Sequence, residues 1–158
     1  MSHPHLEESL PTPFESAQLN LKLFELRREP VLREARAWFT RDFNPDSLED
    51  VMQTLQSDRN PSFRMVLGYW DMAASLVTTG AIDPESFRAA HGEIFATFSK
   101  IQPFLEQFRA ARAQPALYSH LESVVMAAPD APAILERLRN GLRAAAKARA
   151  AKTAETAR

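Results

Sequence analysis

Cysteine is absent from the 158 residues, which excludes a disulfide scaffold, a thiolate-held metal and a cysteine nucleophile, and fits a reducing compartment. Glycine is scarce as well. Four glycines leave no room for a glycine-rich phosphate loop, and neither a dinucleotide fingerprint nor a Gly-x-Ser-x-Gly elbow occurs. No run approaches the roughly 18 apolar residues that a membrane-spanning helix needs. The opening Met-Ser-His-Pro-His-Leu-Glu-Glu lacks the basic start and apolar stretch of a secretory signal. The net charge of −1 excludes a globally basic nucleic-acid binder. These absences point to a soluble, cytoplasmic chain without a membrane span.

What is present is a core. Hydrophobic residues make up 45% of the chain and charged residues 25%, the balance of a globular domain. Ten phenylalanines supply bulk for one domain of this length. Nowhere does the chain alternate apolar and polar residues with period two, so the expected class is all-α. The division expected is a loose leader over 1–15, a helical bundle over 16–136 and a basic, Ala-rich helical tail over 137–158, its end frayed.

Local signals place the helices. Ser16 offers an N-cap to a helix with Leu19, Leu23 and Leu26 on one side, and Pro30 breaks or kinks it. A second helix follows with Val31, Ala35, Trp38 and Phe39 inward. Ser47 and Asp50 form a capping pair for a helix over 47–56. Asn60-Pro61 opens another, which Gly80 closes. Along it, Phe63, Val66, Trp70, Ala73 and Val77 form one apolar stripe and Met65, Tyr69, Met72 and Leu76 a second. Such width assigns this helix to the centre.

Asp83-Pro84 opens the most regular segment. Phe87, His91, Ile94, Phe98, Ile101, Leu105, Phe108 and Arg112 recur at steps of four and three, a heptad seam on one long helix over 84–113. Pro103 should kink it or divide it. A helix over about 115–127 buries Leu117, Leu121, Val124 and Val125. The architecture expected is a single up-and-down bundle of five to seven helices with a kinked long helix and a basic tail.

The charge is unevenly placed. Residues 137–158 carry +6 and the remainder −7. Contact of the tail with nucleic acid or an anionic surface is one reading. No aromatic interleaves its charges, and the other reading is a solvated helix extension.

Chemistry is sparse. The histidines are His3, His5, His91 and His120; His91 and His120 have no second ligand at helical spacing and His3 and His5 lie in the loose leader, so no metal is expected. His91 lies on the apolar seam, where it is either a general base or a core histidine with one hydrogen bond. Asp71 lies on a small polar stripe and Glu122 on a mostly apolar helix. Arg33, Arg36 and Arg112 are available to them. Asp71, His91, Arg112 and Glu122 are therefore candidate ligand-binding residues. Arg33, Arg36, Asp71, Arg112 and Glu122 are candidate structural ion pairs. No catalytic set and no cofactor emerges.

Residues 65–124 carry a Trp70-Asp71 pair in the central helix, a Gly80 to Asp83 turn, a long helix ending in Arg112, and Pro-x-Leu-Tyr-x-x-x-Glu over Pro115 to Glu122. With Arg33-Glu34-Ala35-Arg36 upstream, this pattern over 31–124 resembles an uncharacterised bacterial family of all-helical domains. Where that family more often carries Glu after the aromatic, this chain has the shorter Asp71. The resemblance implies a helical bundle and no known reaction. Three functions stay open: a non-enzymatic protein-interaction or self-association module (a homodimer through the seam), a ligand or anion pocket between helices, and phosphate contact by the tail.

Overall fold

The computed structural model describes residues 10–157, and every regular element in them is helical. Residues 1–9 of the expected leader lie outside the described part. The helices are α1 (Pro13–Arg27), α2 (Pro30–Arg41), α3 (Leu48–Gln56), α4 (Asn60–Thr78), α5 (Pro84–Ala90), α6 (Glu93–Ile101), α7 (Leu105–Arg112), α8 (Ser119–Met126) and α9 (Ala131–Thr156). A 3-10 turn over Gln102–Phe104 joins α6 to α7. This is a larger number of segments than the five to seven expected, because the predicted long helix is not one helix.

Most boundaries follow the local chemistry. Ser47 and Asp50 cap each other's backbone at the start of α3, Glu29 accepts from Leu32 N–H beside Pro30, and Asp83 accepts from Ser86 N–H at the start of α5. Gly80 closes α4 with φ +82°, a left-handed conformation that a Cβ disfavours. α1 starts earlier than expected. Thr12 and Glu15 form a reciprocal capping box with Pro13 at the first helical position, so Ser16 is not the cap. It is buried in the first turn instead.

The seam over 84–113 divides twice. Pro103 cannot donate to Ser99, and the chain answers with the 3-10 turn. The other break, at His91-Gly92, has no proline. His91 leaves helical dihedrals (φ −127°, ψ 52°) while its ring enters the core between Phe87 and Trp70. The break frees α5 to lie on α1 and α6 to lie on α9.

The core is continuous. α4 is central, packing on α8, α2 and α3. Phe63, Val66, Leu67, Trp70, Ala73 and Ala74 are buried, whereas Met65 and Met72 of the expected second stripe face outward. Phe39, Phe43, Phe63 and Phe108 make a chain of edge and tilted ring contacts. Every large residue of the 84–113 seam from Phe87 to Phe108 is buried inside this one chain. The large residues of the seam are spent on the internal core.

α1 keeps part of its expected face: Leu23 is buried and Leu19 packs on the core, but Leu26 is exposed. Ser16, Asn20 and Leu23 are buried, while Phe14, Leu21, Phe24 and Leu26 are exposed. Polar Ser16 and Asn20 flank Leu23 on the inward face, while a second apolar row through Phe14, Leu21 and Phe24 meets solvent.

Candidate functional site

Four polar groupings stand out against this core, and the sequence candidates are distributed among them. The first joins α1, α2, α5 and α6. Arg36 holds Glu93 through one edge of its guanidinium, with Nε 2.7 Å from Oε1 and Nη2 on Oε2. Its Nη1 donates to Arg27 O at 2.8 Å. Arg27 Nη2 donates to the same carboxylate at 3.1 Å, and its guanidinium lies over the Trp70 ring, 5.2 Å from the centroid. One carboxylate thus ties two arginines from two helices, a bidentate geometry that fixes orientation as well as charge.

His91 extends the network. Arg27 Nη1 lies 3.4 Å from Nδ1, and a guanidinium only donates, so Nδ1 is the acceptor. The proton therefore sits on Nε2, which donates to Asn20 Oδ1 at 3.0 Å. Burial and the neighbouring Arg27 charge push the imidazole down to about 4, so it is neutral near pH 7. Asn20 Nδ2 in turn donates to Ser86 Oγ at 3.3 Å, and Ser86 Oγ to Asp83 O at 3.1 Å. Asp83 N–H donates to Ser16 Oγ at 3.1 Å.

The second grouping lies where α4 meets α8. Asp71 Oδ1 accepts from Leu121 N–H at 2.9 Å, so Asp71 serves an unpaired amide at the start of α8 rather than an arginine. Glu122 pairs with Arg109 at 2.8 Å, and Arg109 also donates to Leu117 O and Glu106. Burial beside Asp71 pushes Tyr118 up to about 12. In the third grouping, Lys100 caps the C-terminal end of α2, with Nζ 2.7–2.8 Å from the carbonyls of Phe39, Thr40 and Phe43 and 3.1 Å from Asn44 Oδ1. Burial pushes it down to about 8.

The fourth belongs to the tail. Arg143 donates to Pro45 O at 2.7 Å and pairs with Asp46 at 3.2 Å, and Arg149 donates to Arg41 O at 2.7 Å. Two of the tail's cations are thereby occupied by the backbone around the α2–α3 corner.

The sequence candidates therefore separate. Asp71 and Glu122 belong to the α4–α8 contact, His91 to the α1–α5–α6 junction. Arg33 and Arg112 are exposed and make no ion pair among the described residues. Arg36 does pair, but with Glu93. The residues that sequence reasoning passed over are Asn20, Arg27, Glu93, Lys100 and Arg109. The spacing of Ser16, Asn20, Leu23 and Arg27 is a helical stripe, and it was the one signal that α1 could bury polar groups.

Beside the first network lies a cleft of about 760 Å³ between the start of α1 and the α4–α5 connection. Ala17 and Leu21 form one wall and Val77, Ile82 and Pro84 the other; Ser16, Asn20, Asp83 and Ser86 supply its polar groups. None of Asp71, His91, Arg112 and Glu122 lines it. No grouping of three or more His, Asp or Glu side chains that could hold a metal occurs among the described residues.

The whole of this framework from α1 to α8 coincides with one family model, a domain of unknown function (DUF4760), which matches residues 13–127. The chain belongs to the DUF4760 family. Among curated proteins and among solved structures nothing matches. The match starts at the first residue of α1 and ends one residue after α8. All of the arginine, histidine and lysine networks except the contacts of α9 are therefore part of the DUF4760 domain. In its described residues no helix is long and apolar enough to cross a membrane.

Proposed function

We propose that this DUF4760 chain is a non-enzymatic helical bundle module that self-associates through the outer face of α1. One observation carries the reading. Leu10, Phe14, Ala17, Leu21 and Phe24 recur at steps of four and three, and Phe14, Leu21 and Phe24 are 70%, 66% and 49% exposed. Heptad spacing is what a facing helix requires, and a contiguous apolar face on a folded domain marks an interaction site.

A second copy fits this face by symmetry. In an antiparallel pairing, Phe14 lies against Phe24 of the partner subunit and the small Ala17 against Leu21 of the partner subunit, and the same contacts repeat across the two-fold axis. Lys22 then approaches Glu15 of the partner subunit, so charge supports the same register. The non-enzymatic part is supported by occupancy: Glu93, His91, Asp71, Glu122 and Lys100 each hold a structural partner. The setting on this reading is the cytoplasm, which the absence of cysteine supports.

Sedimentation velocity tests it. The native chain should sediment as a dimer, and Phe14→Glu, at an exposed position, should give a monomer with unchanged helical circular dichroism. A native chain that sediments as a monomer across the accessible concentration range would overturn the proposal.

A further inference from the structure

The geometry points to the cleft beside α1 as a binding site for a small uncharged amphiphile, one with an apolar body and a single hydrogen-bond acceptor at one end. This goes beyond self-association: Ala17 and Leu21 line the cleft and also lie on the proposed dimer face, so amphiphile and second copy compete for them. The cleft's volume, about 760 Å³, is within the roughly 300–1,000 Å³ that small-molecule sites occupy. Its walls are apolar, and its polar groups are few and converge at one end, which is how such sites fix orientation.

Two of those groups are deeply buried. Ser16 is 1% exposed and Asn20 9%. Ser16 Oγ accepts from Asp83 N–H, and its own hydroxyl hydrogen has no acceptor among the described residues. Asn20 gives one amide hydrogen to Ser86 and keeps a second. The orientation of that amide is set from behind: the Nε2–H of His91 holds Oδ1, which turns the NH2 toward Ser86 and the cleft. The cleft therefore offers donors, and its ligand must bring an acceptor.

Charge narrows the class further. Asp83 is among the residues that line the cleft, and its carboxylate, at the start of α5, already accepts from Ser86 N–H. The nearest cation in the network, Arg27, is committed to Glu93 and His91. An anionic head would lie near the Asp83 carboxylate with no Lys or Arg among the lining residues, and desolvation without a partner is costly. A terminal amide, ester carbonyl or alcohol meets the donors without that cost.

The test titrates the full chain, labelled with 15N, with octanamide, octan-1-ol and octanoate at neutral pH. Octanamide or octanol should bind saturably and shift the amide signals of Ser16, Ser86 and the Asn20 side chain. Octanoate should bind at least about tenfold more weakly, since one unsatisfied buried charge costs more than 1.4 kcal/mol. Ala90→Trp, an exposed position on the cleft, should abolish the shifts while leaving sedimentation and helical circular dichroism unchanged. Phe14→Glu, which leaves the cleft free of a second copy, should bind at least as tightly as the native chain, so that failure of one proposal is distinguishable from failure of the other. Non-saturable shifts spread over the surface, octanoate binding as tightly as octanamide, or binding indifferent to Ala90→Trp would each overturn the assignment.

Discussion

A neutral imidazole enclosed between Phe87 and Trp70, with both ring nitrogens committed, makes a pH sensor of stability at the scale of one residue. The folded His91 titrates at about 4 against 6.5 for the free side chain. Between those values the unfolded chain takes up a proton that the folded chain refuses. The contribution of His91 is therefore complete above about pH 6.5 and is lost as pH falls toward 4, by on the order of 3 kcal/mol. Urea unfolding followed at neutral pH and near pH 4.5 should show this loss. His91→Leu should be less stable at neutral pH and flatter across the same window; an identical slope in the variant would refute the assignment. The seam placed His91 on an apolar face, so its burial was legible. Its partners Asn20 and Arg27 were not, because they are 71 and 64 residues away in sequence. Lys100 was missed for the same reason. Among Phe98, Ser99 and Ile101 nothing announces that an ammonium will reach the carbonyls that end α2.

At the scale of the element, capping chemistry was the most legible signal and stripe orientation the least. Ser47 with Asp50, Asp83, Pro30 and Gly80 all act where they were expected, since a cap is satisfied by atoms within three or four residues. Gly80 gives the test. Its φ of +82° and the bonds from Gly80 N–H to Val77 O and from Ala81 N–H to Leu76 O define a left-handed close to α4. Gly80→Ala should cost about 1 kcal/mol through the Cβ alone, because no neighbouring atom obstructs the site. Thermal unfolding checks it, and an unchanged midpoint would refute it. By contrast, Leu19 and Leu23 gave the inward side of α1 only in part, because the burial of Ser16 and Asn20 beside them depends on partners in α5 and α6. Asn60 shows a milder version. It carries N-cap chemistry, yet α4 begins with Asn60 inside the helix and its Oδ1 finds no partner among the described residues.

At the scale of the whole molecule, α9 binds back across the fold. Its early turns bury Ala131 and Leu135, and α6 is its main neighbour. Arg143 and Arg149 then reach the carbonyls of Pro45 and Arg41. Ending the chain after Asn140 removes both anchors and the half-buried Leu142 while leaving the DUF4760 span of 13–127 intact. The truncated chain should still unfold in one transition, with about 1–2 kcal/mol less stability and a midpoint lower by roughly 2–8 °C. Loss of cooperative unfolding would show instead that α9 is integral to the domain.

Composition and periodicity by themselves determined that this chain is helical, where most helices begin and end, and which large side chains of the seam are buried. Those features depend on neighbours within a turn or two, and the local sequence contains them. Tertiary structure alone decided that the seam is consumed within one subunit, that α1 buries Ser16 and Asn20 while showing Phe14 and Phe24 to solvent, and that Glu93 rather than Asp71 or Glu122 gathers Arg27 and Arg36. Each of those outcomes is a competition between partners far apart along the chain, settled only when the helices meet.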